Sequence, residues 1–383
     1  MKIAIIHSCF VKVGGAELWI QHVANRLVQK GHEVFIIAAT INSKLLKFHK
    51  KIRTINLSRY DAHHPLYYCF IPEIIRKGKL ALQKIAPNIV NAHHFPSYIT
   101  AYLYNPQKTL WYVHEPYPLF HNAFFRRHAT FTWKARSYGW GLIYRRLDIK
   151  YARQIPLVVS NSQFCQKLFY EAFHRWPDEV IYPSYCIDPS IAQNEHFQSK
   201  HEKRILVVGP SSVIKGFEYA LKVYEVLAKK YDLELLIIGN IDPKYIRMLE
   251  TYLKEKRPGY DAIKIEGRVS STELARRFAS SHLTLYCSIN EPFGIVPIES
   301  ILIGTPCIGF SMGGLNESMF NEELRQFLVP YASLSGLVNV TEKILKSNYR
   351  VSNKTRNLVK KRFSWERTVE HYENLIQNIK ETS

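Results

Sequence analysis

Acid is what this sequence has least of. It carries 32 Asp+Glu against 52 Lys+Arg, a formal net charge of +20 in 383 residues. The shortfall sits in the first half: residues 1–190 hold 25 Lys+Arg and 10 Asp+Glu, and the remainder 27 and 22. A basic first half expects an acidic partner: anionic lipid, a phosphate-bearing acceptor or nucleic acid. Cysteine is sparse as well. The six cysteines, at 9, 69, 165, 186, 287 and 307, never fall at metal-ligand spacing, which removes the common zinc motifs and points to a reducing compartment. No apolar run is long enough to span a bilayer, and the opening Met1–His7 is too short for a signal peptide and reads as a first strand. The expected placement is cytoplasmic, with peripheral contact to the inner face of a membrane. There is no GxGxxG run, which disfavours a nicotinamide enzyme, and no clustered Asp/His ligand set for a metal. Internal repeats and low-complexity runs are absent too.

What is present is an ordinary globular composition, 46% hydrophobic, in a chain long enough for two domains with substantial cores. Strand and helix patterns alternate throughout, so the expected fold class is α/β with parallel sheets. Lys2–His7 leads into Gly14-Gly15-Ala16-Glu17, where paired glycines at a helix start let backbone approach a ligand closely; a plain tight turn explains those residues equally well. Glu33–Ala38 is a second strand. Asn88–His94 and Thr109–His114 are strands whose C-terminal ends carry polar residues, where ligands of open α/β sheets gather. A lone histidine such as His114 is usually structural. Residues 189–202 are polar and aperiodic, the expected linker between domains at 1–188 and 203–362, and 363–383 is a closing helix with a 3.6-residue period.

The most informative stretch is Glu291-Pro292-Phe293-Gly294-Ile295-Val296-Pro297-Ile298-Glu299-Ser300. It follows an apolar strand and runs into a short helix stopped at Gly304. The free N–H groups at Gly294, Ile295 and Val296 form an anion site at the helix start. Two carboxylates beside an anion site suit a ligand that also has hydroxyls, with Glu299 on a ribose and Glu291 on a sugar hydroxyl. Two glutamates at that spacing, by themselves, equally describe a solvated surface loop and helix.

The full run, with Gly304-Thr305-Pro306 after it, resembles the signature of retaining GT-B glycosyltransferases of the family 4 type. Ser160-Asn161-Ser162 and Ile181-Tyr182-Pro183 also resemble that family, most closely the mannosyl- and glucosyltransferases that build bacterial surface polysaccharides. The resemblance spans nearly the whole chain. It implies two Rossmann-like domains with parallel sheets facing a central cleft, and a closing helix that returns to the first domain. It implies transfer of a sugar, with retention and without metal or other cofactor, from a UDP-, GDP- or ADP-sugar to a glycan or lipid-linked acceptor. Glu291 and His114 take the catalytic positions. Lys215, Ser211, Gly267, Phe293, Gly294, Ile295 and Glu299 hold the donor, and Gly14, Gly15 and Glu17 form the acceptor and phosphate loop. One departure is plain: Lys215-Gly216 keeps the family's spacing, but Pro210 stands where the family has arginine.

Residues 120–150 interleave rings (Phe120, Phe124, Phe125, Phe131, Trp133, Tyr138, Trp140, Tyr144) with Arg126, Arg127, Lys134, Arg136, Arg145, Arg146 and Lys150. Such a mixture suits an anionic membrane surface, and equally helices whose rings fill the core. It also suits stacking on single-stranded nucleic acid, the rival reading from another functional class. Within enzymes the rival is a sugar-nucleotide epimerase on the same fold, which lacks the two-glutamate signature. A phosphorylase lacks any motif for a lysine-bound pyridoxal phosphate.

Overall fold

The computed structural model describes residues 1–382 apart from 63, 129–130, 194–202, 211–212, 244 and 248–261. The chain forms two compact units, Met1–Ser184 with Trp365–Ser383, and Tyr185–Ser364.

Unit 1 is built on seven parallel strands: β1 Lys2–His7, β2 Glu33–Ala38, β3 Arg53–Asn56, β4 Ile89–Ala92, β5 Thr109–Val113, β6 Leu157–Ser160 and β7 Glu179–Val180. Their spatial order is β3-β2-β1-β4-β5-β6-β7. Lys2–His7 is apolar on both faces because helices cover both sides of the sheet, and Ile3, Ala4 and Ile5 are fully buried. The helix Gly15–Gln29 turns Trp19, Ile20, Val23, Ala24 and Leu27 onto the sheet at helical spacing. The helix Trp365–Thr382 returns to this unit: Tyr372 meets Trp19 edge-on at 5.9 Å, Trp365 stacks on His22 at 4.6 Å, and Glu373 accepts from His32 at 2.9 Å.

Unit 2 holds six parallel strands: β8 Lys203–Val208, β9 Leu233–Ile238, β10 Ile263–Glu266, β11 Leu283–Tyr286, β12 Cys307–Phe310 and β13 Leu328–Val329. Their order is β10-β9-β8-β11-β12-β13. In each unit the strands proceed outward from one central strand in both directions. The reversal lies between β1 and β4 in unit 1, and between β8 and β11 in unit 2. At such a point the loops leaving the strands' C-terminal ends diverge and open a crevice.

The boundaries differ slightly from those expected. Residues 185–188 group with unit 2, because Ile187 is buried in its core and the Cys186 N–H is bonded to Glu299. Pro189–Gln193, expected as linker, form a 3-10 turn within unit 2, and residues 194–202 lie outside the described residues. Phe363 and Ser364 also stay with unit 2, Phe363 packing against Phe293 at 5.5 Å.

Candidate active site

In unit 2 the loops leaving β8 and β11, the two strands at the reversal, carry the residues the sequence singled out. The loop after β8 ends in the 3-10 turn Val213–Lys215, and Ile289 of the β11 loop donates its N–H to the Ile214 carbonyl at 2.7 Å. That stitch brings Lys215 to Glu291, and Lys215 Nζ donates to Glu291 Oε2 at 2.6 Å. Gly294 caps the helix Ile295–Ile303 at φ +91°, a left-handed conformation that favours glycine. The chain can therefore turn sharply and leave the first N–H groups of the helix unspent. Phe293 is buried on Phe363, so its side chain is closed to a ligand. The loop is clamped from below by Gly314, whose N–H donates to the Glu291 carbonyl at 2.9 Å. A Cβ at Gly314 would lie 2.3 Å from the Pro292 oxygen, so the approach requires glycine.

Glu299 lies on the buried face of that helix, 5% exposed, with Oε1 accepting from the Cys186 N–H at 2.8 Å. Burial pushes its carboxyl up to about 7, the single backbone hydrogen bond offsetting only part of the effect. Gly267 follows β10 at the sheet edge, one strand removed from β8, and nothing lies within 4 Å of where its Cβ would stand. Its backbone is open to a ligand, but it does not join the Lys215–Glu291 group. Ser211 lies outside the described residues.

In unit 1 four histidines meet at the reversal: His7 at the end of β1, His93 and His94 just after β4, and His114 just after β5. His93 Nδ1 and His114 Nε2 are 3.0 Å apart, and the His94 and His114 rings lie 5.3 Å apart. Asn161 of the Ser-Asn-Ser run donates to the His114 carbonyl at 2.9 Å and holds that loop. Burial and neighbouring imidazoles hold His93 and His114 well below the usual histidine range, and burial with His7 holds His94 at about 4. His93, His94 and His114 are neutral at pH 7. Among the described residues no group of His, Cys, Asp or Glu is arranged to hold a metal ion.

Glu17 is occupied within the protein. Its Oε2 accepts from the Gly14 N–H at 2.8 Å and its Oε1 is 3.3 Å from His7 Nε2. Burial would raise this carboxyl, but the hydrogen bond from His7, with the neighbouring His7 and His94 rings, overrides it and holds the group at about 2. Gly14 and Gly15 open the helix that carries Glu17, so the loop expected to face phosphate is tied to the histidine cluster through its glutamate. Sequence reasoning missed His7, His93 and His94 as members of the site. The signal was available in outline, since each stands at or just past the C-terminal end of a strand.

Residues 13–188 match the model for glycosyltransferase family 4, and residues 190–377 match the model for glycosyl transferases group 1. Among curated relatives, the N-acetyl-alpha-D-glucosaminyl L-malate synthase of Bacillus anthracis is 21% identical over 393 residues, covering 99% of this chain and 98% of that one. Among solved structures, sucrose-phosphate synthase from Thermosynechococcus elongatus superposes with a TM-score of 0.81 at 19% identity, covering 100% of both chains. The Anabaena HepE protein in complex with UDP-glucose superposes at 0.68 with 18% identity, over 100% of this chain and 99% of that one. These likenesses show the fold to be GT-B, as the sequence resemblance implied.

Proposed function

We propose that this chain, which belongs to the family 4 glycosyltransferases, moves a sugar from a nucleotide-diphosphate sugar to a saccharide or lipid-linked saccharide in glycan synthesis, with retention at the anomeric carbon. The observation that carries this reading is the arrangement in unit 2. A cation, Lys215, meets Glu291 beside the helix start at Gly294-Ile295 at the strand reversal, and Glu299 lies buried on that same helix. Helix N–H groups and Lys215 offset developing negative charge on a leaving diphosphate, the preorganised electrostatics that acyl- and phosphoryl-transfer sites also use. Glu299 accepts from ribose hydroxyls and Glu291 from the sugar. His114 takes the role of a hydrogen-bonding residue for the substrate in this reading. With no obvious covalent nucleophile, substitution on one face of the sugar is the route this reading takes, and no metal is required.

The test is a thermal-shift panel of UDP-, GDP- and ADP-sugars, since a ligand at 100 times its dissociation constant adds ~2.7 kcal/mol. UDP-sugars come first, because HepE is described in complex with UDP-glucose. Transfer to an acceptor that survives EDTA, with product NMR showing an unchanged anomeric configuration, supports the whole reading. Absence of protection by any nucleotide sugar, together with steeply salt-dependent RNA or DNA binding, overturns it.

A second part of the reading concerns the helix Phe131–Ala152. Phe120 and Tyr144 are buried and Trp140 packs on Tyr68 and Tyr144, so these rings belong to the core and do not face a membrane. Phe124, Phe125, Phe131, Trp133 and Tyr138 have side chains outside the described residues. What faces outward is Leu142, 76% exposed, and Ile143, 57% exposed, alongside exposed Arg145 and Arg146. Apolar tips beside arginines fit an anionic bilayer, and each basic residue near such a surface adds ~1 kcal/mol. Among the described residues no helix is long and apolar enough to cross a membrane. Co-sedimentation with anionic but not neutral liposomes, weakened by salt and by Leu142→Asp with Arg145→Glu, supports attachment. Equal behaviour toward both lipids removes it.

A further inference from the structure

Nothing at the sequence level distinguishes His93 from its neighbour His94, yet its place in the structure is unusual. It follows β4 directly and is 1% exposed. One ring nitrogen, Nδ1, meets His114 Nε2 at 3.0 Å, and the other, Nε2, is buried with no hydrogen-bond partner. The two rings are 5.2 Å apart at the centroids and tilted by only 24°. A separation of that size, with nitrogens 3.0 Å apart, is what two imidazoles need when they meet edge to edge in nearly one plane. The lone pair of one nitrogen then points at the N–H of the other, so this is a hydrogen bond and not a stacking contact.

One proton is shared across that bond, and its direction follows from the orphaned nitrogen. Both rings are neutral, because burial and the adjacent imidazoles disfavour any added charge. If the His93 proton sat on Nε2, a buried N–H would have no acceptor. If it sits on Nδ1, the orphan is a bare lone pair. Orphaned buried N–H donors are the rarer and costlier of the two. His93 is therefore the donor and His114 Nε2 the acceptor. His114, being neutral, must then carry its own proton on Nδ1, the nitrogen that remains for a ligand. Trp19 packs edge-on against both rings, at 5.4 Å from His93 and 6.0 Å from His114, and fixes their orientation.

We propose that His93 is a positioning residue that sets the tautomer of His114, so that His114 offers an N–H donor from Nδ1 to an acceptor oxygen of the substrate. That oxygen is a sugar hydroxyl or phosphate oxygen. His114 then acts as a neutral hydrogen-bond donor, and it abstracts no proton. The choice of substrate oxygen rests on the glycosyltransferase reading; the tautomer does not.

The full-length protein, labelled with 15N-histidine, is the sample. Long-range 15N–1H spectra without any substrate should show His114 with a protonated Nδ1 and a bare Nε2, assigned by loss of its signals in His114→Ala. A parent spectrum with the proton on Nε2 overturns the proposal whether or not the chain transfers sugar. His93→Phe keeps a ring and removes the donor, so His114 should drift toward the Nε2–H form that free imidazoles prefer. Turnover should fall on the order of 10-fold, with donor KM little changed. His93→Asn places an amide donor where Nδ1 stood and should restore both the spectrum and the rate. If His93→Phe folds and leaves the His114 pattern intact, His93 sets nothing. A chain that shows the expected tautomer but no transfer retains the positioning role and loses only the substrate oxygen.

Discussion

Lys215 and Glu291 neutralise each other across 2.6 Å, and both are largely buried. They come from loops 76 residues apart in sequence, brought together only because β8 and β11 are adjacent at the strand reversal. Lys215 and Glu291 thus each satisfy the other's charge. In the reading proposed above, a diphosphate that draws Lys215 away frees Glu291 for a hydroxyl, which couples the two proposed roles through one contact.

Removing one partner should therefore expose the other. Lys215→Ala leaves a largely buried carboxylate without its cation, at a cost of ~1–3 kcal/mol in the unliganded protein. Turnover should fall ~10²-fold or more. Adding Glu291→Gln should recover part of the stability and none of the activity. Melting curves of parent, single and double variants decide this; a double variant no more stable than Lys215→Ala means the pair carries no coupling.

Donor affinity should rise with pH through the neutral range. The Glu299 carboxyl, ordinarily near 4.5, is raised to about 7 by burial. Folded protein therefore binds more protons than unfolded between those values, and this group's effect on stability becomes less favourable as pH climbs from 4.5 past 7. Ribose hydroxyls donate to the ionised form, so below pH 7 nucleotide binding should release a proton. Calorimetry at pH 6 in buffers of different ionisation enthalpy measures that proton. Glu299→Gln should weaken binding and flatten its pH dependence; a pH-independent parent rules out the ribose role.

His114→Ala should lower turnover ~10²-fold while nucleotide binding stays near the parent's, because the nucleotide contacts proposed here lie in unit 2. Steady-state rates beside calorimetric donor affinity make the separation. Normal turnover returns His114 to a packing role.

Unit 1 should lose stability as pH falls from about 6.5 toward 4. His94 is held at about 4, and His93 and His114 lower than usual, by burial and by neighbouring imidazoles. The unfolded chain takes up protons in this window that the folded chain refuses, at ~1.4 kcal/mol per pH unit for each proton of difference. Below 4.5 Glu17, held at about 2, pulls in the same direction, its contribution draining as pH falls through its folded value. Urea titrations at several pH values, read by tryptophan fluorescence, measure the slope, and His94→Asn should reduce it.

Gly314→Ala should damage the donor site without touching a donor residue. Its Cβ would stand 2.4 Å from the Phe293 Cα and 2.3 Å from the Pro292 oxygen, so the 291–294 loop must shift. A lower melting temperature and a donor affinity reduced together are expected; parent-like values for both would mean the loop yields at no cost.

The meeting of Lys215, Glu291 and the helix start at Gly294 was legible in the sequence because its parts are local. Glu291, Gly294 and Glu299 lie within nine residues on one loop and helix, and Lys215 is announced by its own glycine turn. The histidine cluster was not, because it depends on strand order. β1 and β4 pair in register, Ile6 opposite Ala92, although two strands and several helices separate them in sequence. His7 and His93 therefore meet only after the sheet is assembled. The fate of Glu17 was hidden for a related reason: a glutamate three residues into a helix reads as available, and only the fold places His7 against it. Residues 185–188 fell on the wrong side of the boundary because the Ile-Tyr-Pro run reads as an ending, while Ile187 seats its side chain in the other core.

The returning helix has a consequence for how the protein is made. Trp19 is covered by Tyr372, and the His22 ring by Trp365, yet the 180 residues of unit 2 are translated between them. At cellular elongation rates that interval lasts roughly 10–40 s. Throughout it, unit 1 waits on the ribosome with Trp19 lacking part of its apolar cover, while unit 2 emerges and folds. A ribosome stalled within unit 2 therefore leaves the first unit unfinished even though residues 1–184 have all been synthesised.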